Sequence, residues 1–546
     1  MNPKITDTPV TDVLIIGGGI AGLKAAIEAR KQGADVTVVS ETPPGFGNNS
    51  AVSRAAFAAV GISEKPDDSV EAHVKDTLES GRFLNDVKLV RTLVENAARQ
   101  VHDLVGYGVP FKRRSDGSLL VGLAAGHSYY RHVFSKDFKG INITRPLRKY
   151  AEKSGVRFAE GMLVTKLLTA DKTAAGALAI DKDGNIIQFS ARSVVLAAGG
   201  AGDIYLMTSN AIGCTGDGYA LAYEAGLTLR DMEFVQFHPT TTGRGGQGLI
   251  MYERYLPKGA TLRNALGEDI LKRHGMLEVN KVTRDVLSKT LAIEVMEGRG
   301  IDGNVILDFT TIPENEASRM VQRGLMDGKH YHSSISVSPT AHYFMGGVKI
   351  DTEAATEIRG LFAAGEVCGG IHAANRLGGN AITETLVFGT IAGEQAAINA
   401  LKQPQKLAPK AHISSEVERL SRIASGSQAA TWEIYRAVQN LMWDKAGIVR
   451  KGKRLNEALA EILSLRKESE TLTGSAEQLI DIIKVNNMLT VAETVCRAAL
   501  TRTESRGSHY RTDYPEENDK KWMKVVEVWR RGEVMELRRV PVKIPL

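Results

Sequence analysis

The sequence is short of cysteine. Its three, Cys214, Cys368 and Cys496, lie far apart and make no C-x-x-C, so no disulfide framework, no iron–sulfur cluster held by this chain and no c-type haem site is expected. No apolar run approaches the ~18 residues of a membrane-spanning helix. The first apolar stretch, VLIIGGGIAG, reads as a strand and turn, not as the core of a signal peptide. There is no basic tail. With 69 basic and 63 acidic residues the chain carries +6, spread along its length; that is too mild for nucleic acid and weakly favours anionic small molecules. Internal repeats are missing too. What remains reads as a soluble, cytoplasmic protein of a reducing compartment, 43% hydrophobic and 24% charged, and long enough for two to four domains. If it trades electrons with anything but a small molecule, a partner must carry the metal centres.

Residues 11–30, TDVLIIGGGIAGLKAAIEAR, run as strand, turn and amphipathic helix, with Gly17, Gly19 and Gly22 in G-x-G-x-x-G spacing. These glycines allow a tight turn and close backbone approach, so that a pyrophosphate can sit on the helix N-terminus. The next strand, ADVTVVSE, should end on a group that binds the ribose, and both Ser40 and Glu41 are candidates. A small-residue loop at 43–62 suits a backbone passing close to a ring system. RSVVLAAGGAG (192–202), with its Gly199-Gly200 turn, and TGDGYALAYEAG (215–226) read as further closure around the same nucleotide, Asp217 being a candidate there or a helix cap. From 231 to 345 the composition changes, and the segment reads as a lid-like insertion because the α/β pattern resumes after it. Residues 401–412 are a proline-containing linker to long helices.

The stretch 371–393, IHAANRLGGNAITETLVFGTIAG, carries Arg376 just before Gly378-Gly379, with Asn380 placed to cap a long apolar helix. A helix start suits one anion, and a guanidinium one turn earlier can grip a carboxylate bidentately. The insertion adds His238, Glu253, Arg284 and His342. Two histidines and two arginines converging on a flavin-sized pocket would neutralise a substrate with one or two carboxylates, which could not otherwise be buried. With a flavin bound, the natural chemistry is hydride transfer at a carbon beside a carboxylate, with a proton moving at the adjacent carbon. By residue type alone Glu253 or a histidine is the candidate for that proton, since the pKa of an arginine lies above ~12 and it does not ordinarily lose its own.

These motifs resemble the flavoprotein subunits of the fumarate reductase and succinate dehydrogenase family, which includes L-aspartate oxidase. VLIIGGGIAGLKAA, EFVQFHPT, TRDVLSKTLAIEVMEGRG, PTAHYFMGGV, GLFAAGEV, HAANRLGGNA, LMWDKAGIVR and ESRGSHYRTDYPE follow the family's order over nearly the whole chain. The resemblance implies an α/β fold: a Rossmann-like FAD-binding domain (1–230 and 346–400), an inserted α+β capping domain (231–345) and a C-terminal helical domain (401–546). It implies FAD, with Glu366, Asn380 and Ala381 beside it. It implies that His238, Thr240, His342 and Arg376 hold substrate, and that Arg284 passes the proton with Glu253 in its relay. It also implies an iron–sulfur partner subunit through which the chain can associate with a membrane without entering it.

Several positions depart from the family pattern. Ser50 stands where membrane-bound members attach FAD through a histidine, so non-covalent FAD is expected, which favours reduction over succinate oxidation. Ala124, in AAGHS, replaces the phenylalanine of fumarate reductases and the glutamate of aspartate oxidases, which leaves a roomier pocket. Leu256 and Lys258 replace an arginine and a glutamate of the relay, and Tyr252 its threonine. Fumarate/succinate is the expected pair. An aspartate-oxidase-like enzyme and an electron-transfer subunit with another substrate are the alternatives.

Overall fold

The computed structural model describes residues 5–62, 67–242, 252–279, 282–322, 326, 328, 332–426 and 431–542, and for 252–254 the backbone alone. Runs such as VLII and VTVV, apolar on both faces, suit parallel strands covered on two sides. They form β1 (Thr11–Ile16) and β2 (Val36–Ser40), joined by helix α1 (Ile20–Lys31). With β3 (Arg157–Glu160), β4 (Met162–Ala170), β5 (Thr173–Asp181) and β6 (Ile186–Leu196) they make a sheet in the order β3-β2-β1-β6-β5-β4. The first half of β6 pairs antiparallel with β5 and its second half parallel with β1. Gly17 leaves β1 at φ 114°, and a Cβ there would lie 2.2 Å from the Ala197 carbonyl oxygen just beyond β6. Only glycine fits that corner.

The insertion builds a second sheet. β7 (Val235–Thr241), β8 (Thr261–Arg263), β9 (Val305–Asp308) and β10 (Ser334–Phe344) lie in the order β7-β10-β9-β8. Helix α2 (Arg284–Glu294) packs on this sheet, its Ser288 hydroxyl donating to the Phe237 carbonyl at 2.9 Å. Leu262, Leu291, Leu307 and Val337 are fully buried in a core of their own, separate from that of the large sheet. The chain then returns to the large sheet as β11 (Leu361–Ala363), parallel to β6.

Helix α3 (Asn380–Lys402) lies against α1. A Cβ at Gly389 would sit 2.7 Å from the Ala21 carbonyl oxygen, and one at Gly393 2.2 Å from that of Ala25. The small residues let two backbones approach more closely than side chains permit.

Beyond the linker the chain is helical, as expected, through α4 (Lys410–Ile423), α5 (Thr431–Ala446), α6 (Gly452–Glu470) and α7 (Leu479–Thr501). It then forms a hairpin that helical patterning did not anticipate, β12 (Lys524–Arg531) and β13 (Val534–Pro541), which pairs with Leu229–Arg230. Its signal is two-residue alternation around Gly532 at φ 60°. Among the described residues no helix is long and apolar enough to cross a membrane.

The α1–α3 approach is testable. Gly393→Ala is expected to cost about 1–3 kcal/mol, as overpacking does, and to lower flavin retention. Gly106→Ala, at a helix end where a Cβ would meet nothing within 4 Å, should be neutral or slightly stabilising. Thermal unfolding and bound-flavin absorbance measure both.

Candidate active site

A cavity of about 1240 Å³ runs from Ser40 and Glu41, past Gly17–Gly19, to Arg284 and Arg376. The helix crossing fixes its length. Ala21 stands level with Gly389 and Ala25 with Gly393, so α1 and α3 run in the same direction. Ile20, the first residue of α1, is therefore level with Phe388, eight residues into α3 from Asn380. At 1.5 Å per residue the two helix N-termini lie about 12 Å apart along the axis. Each carries partial positive charge, and a dinucleotide with its pyrophosphate at one and its ring system at the other spans that distance. Gly199, at φ 78°, and Gly378 both line the cavity, and a Cβ on either would project into open space. The residues present fit such a group.

At the nucleotide end Ser40 faces the glycine turn, its hydroxyl 2.9 Å from where a Gly18 Cβ would stand. Glu41 lines the cavity and pairs with Lys484 of α7 at 2.6 Å. The Ser50 hydroxyl accepts the Ile20 N–H at 3.1 Å, which places it at the start of α1. Asp217 does not cap its helix. The N-cap is Gly216 at φ 90°, and the Asp217 carboxylate accepts from Thr215 Oγ1 at 3.1 Å and Asn487 Nδ2 at 2.7 Å. Glu366 is buried beside Gly200, where any Cβ would collide with its carboxyl at 2.1 Å. Burial raises its pKa to about 7, against the lowering effect of the Phe344 N–H donated at 3.0 Å and of Asn49.

The structure corrects the reading of Asn380. The N-cap of α3 is Gly379, at φ 82°, and the Asn380 side chain turns inward, accepting from His73 Nε2 at 2.9 Å and donating to Thr77 at 3.0 Å. The cavity wall there is made by Gly378, Gly379, Ala381 and Ile382. Thr240 is likewise fully buried behind His238 and Pro239, which line the cavity while Thr240 does not.

At the other end Arg376 is 5% exposed, its guanidinium 4.8 Å over the Tyr343 ring and its Nη2 donating to Gln236 Oε1 at 2.7 Å. Its Nε has no partner, and no described carboxylate forms an ion pair with it. Burial, and then the neighbouring Arg284, lower its pKa to about 10, so it stays cationic at neutral pH. A buried cation that lines a cavity with a donor unused suits an anion brought from outside. His238 on β7 and His342 on β10 meet edge-to-face at 5.3 Å, with Ser209 Oγ 2.9 Å from His342 Nδ1. Arg284 opens α2, and its neighbour Asp285 is held by Asn375 Nδ2 at 3.2 Å and Arg82 at 3.4 Å. The side chain of Glu253 lies outside the described residues.

Sequence reading missed a buried cluster beneath the Gly378-Gly379 turn. His127 Nε2 donates to the Gly378 carbonyl at 2.7 Å while its Nδ1 accepts from Arg131 at 3.2 Å. His132 reaches the same carbonyl. Arg131 is itself fully buried between Asp68 and Asp76, 2.6 Å from each. Burial lowers the pKa of His73 and of His127 to about 3, with Arg131 adding to the effect on both, and lowers that of His132 well below the usual range. No spacing rule joins residues 73, 127, 132 and 378.

A family model described as an FAD binding domain matches residues 12–382, and one described as the C-terminal part of fumarate reductase flavoproteins matches residues 435–545. The chain is 36% identical over 519 residues to one component of the CoM/CoB fumarate reductase of Methanothermobacter marburgensis, covering 92% of this chain and 94% of that one. It is 33% identical over 546 residues to the 8-methylmenaquinol:fumarate reductase flavoprotein subunit of Wolinella succinogenes, covering 94% and 88%. It superposes on E. coli quinol fumarate reductase with TM-score 0.89 at 28% identity, over 99% of this chain and 98% of that one.

The histidine cluster generates a pH dependence. Folded pKa values of about 3 for His73 and His127 lie below the ordinary 6.5, so the stability they carry is complete above pH 6.5 and is lost as pH falls toward 3. Each contributes a slope of up to about 1.4 kcal/mol per pH unit in that window. The unfolding midpoint should fall steadily from pH 6.5 to 4, and His127→Gln should flatten that fall.

Proposed function

The chain belongs to the flavoprotein-subunit family of fumarate reductases and succinate dehydrogenases and is an FAD-dependent oxidoreductase, and we propose that it reduces the carbon–carbon double bond of fumarate, or reversibly oxidises succinate. Bound FAD supplies the hydride chemistry. The observation that carries the reading is Arg376, a buried cation with an unused Nε beside the turn that begins α3. It takes one substrate carboxylate, and His238 and His342 take the other. Arg284 delivers the proton at the neighbouring carbon, with Glu253 in its relay, loss and regain of the proton being nearly concerted.

In the same reading FAD lies along the glycine turn, with Ser40 or Glu41 at the ribose and Glu366 and Ala381 nearer the ring. It is held without a covalent bond, because Ser50 has no imidazole to offer. The FAD-binding part comprises 1–230 and 346–400, the capping part 231–345 and the C-terminal part 401–546. Among the described residues the cysteines are free and no group of metal-ligating side chains assembles. In this reading, as in the flavoprotein subunits the chain resembles, electrons come from a partner subunit bearing iron–sulfur clusters. The chain works in the cytoplasm, reaching a membrane only through partners.

Purified protein given a reduced viologen dye and fumarate should oxidise the dye, and failure to turn over any dicarboxylate would end the reading. Arg284→Ala should lower kcat at least 100-fold while succinate still perturbs the flavin spectrum. Activity that survives this change would point instead to an electron-transfer role. Acid precipitation should release all flavin into the supernatant; flavin retained on the pellet would contradict the role given to Ser50.

A further inference from the structure

The wall beside the carboxylate clamp is apolar. Residues 120–127 fold against the Arg376–Gly379 turn: His127 donates to the Gly378 carbonyl at 2.7 Å, and a Cβ at Gly126 would stand 2.8 Å from Leu377 Cδ1. Leu120, Leu123 and Ala124 of this segment line the same cavity as Leu377, as do Leu256 and Leu287 of the insertion. Leu287 stands one turn along α2 from Arg284, with most of its side chain buried in the small core. Leu123 is 50% exposed, so its side chain is open to contact with whatever enters the cavity. Lys258, a cation of the insertion that lines the cavity, is committed to Glu316 at 2.8 Å.

We propose that this wall is a subsite for an apolar, ring-sized group on the β-carbon of the substrate, so that the enzyme takes β-aryl or β-branched 2-enoates with one carboxylate on Arg376. This rests on the reading of carbon–carbon double-bond reduction given above and names its substrate class. The substrate gains a hydride at Cβ, the C=C π pair takes a proton at Cα, and the two electrons come from reduced FAD, reloaded by a low-potential one-electron donor. Burying an aromatic ring here gains ~25 cal/mol per Å² of apolar surface removed from water, a contribution that fumarate cannot make.

The test compares fumarate, crotonate and cinnamate as acceptors for a reduced viologen dye. Calorimetric binding of butanoate and 3-phenylpropanoate to the FAD-loaded protein gives a readout independent of turnover. Cinnamate is expected to exceed crotonate at least tenfold in kcat/KM, and 3-phenylpropanoate to bind at least tenfold more tightly than butanoate. Ala124→Phe, which fills the wall, and Leu123→Gln, which makes it polar, should each cut the cinnamate-to-crotonate ratio at least fivefold. Turnover of fumarate with neither turnover nor binding of the aryl acids overturns the subsite and leaves the general reading standing. No turnover of any of the three defeats both. An aryl preference untouched by both substitutions overturns the assignment of this wall.

Discussion

The approach of α1 to α3 sets the geometry of everything else. Glycines at 389 and 393 let one helix backbone rest on Ala21 and Ala25 of the other. The two helices are thereby fixed in direction and in offset. A cofactor with anionic character at two places about 12 Å apart finds two helix ends waiting at that spacing. Arg376, in the loop leading into the second helix, inherits its position from the same crossing. A side chain at either glycine would shift the ring-binding end relative to the pyrophosphate-binding end, and the clamp with it.

The substrate end is electrostatically unfinished. Arg376 is buried among an aromatic ring, an amide and a second arginine, and no described carboxylate pairs with it. Elsewhere Arg131 has Asp68 and Asp76, and Arg502 has Glu233 and Glu504, while the fully buried Arg450 donates to the backbone carbonyls of Ala446, Gly447 and Glu233. What sets Arg376 apart from these three is that it lines the cavity, where an anion from outside can reach it. Stability is given up at Arg376 for binding, as is common where function and packing compete.

Much of this is legible in the sequence because it is local. Gly17, Gly19 and Gly22 announce a turn whose sterics need nothing from elsewhere, and HAANRLGGNA announces a helix start beside a cation. The role of Asn380 is not legible, because capping depends on which residue takes the positive φ, and Gly379 does. Glu41 and Lys484 form their pair across more than four hundred residues, beyond the reach of any spacing rule. The histidines under Gly378 come from separate segments, and neutral buried histidines resemble surface ones in composition. The final hairpin follows a helical segment, and that context outweighs its alternation.

The separate core of the insertion divides the labour of the site mechanically. Arg376 and the two helix ends belong to the large body. Arg284 rides on α2, whose Leu287 and Leu291 are buried in the small core. Asp285, held by Asn375 and Arg82, is a latch between the two bodies at the residue next to Arg284. Loosening the small core alone would leave cofactor and carboxylate in place and carry off the proton donor, so the enzyme can fall silent while still coloured by its flavin.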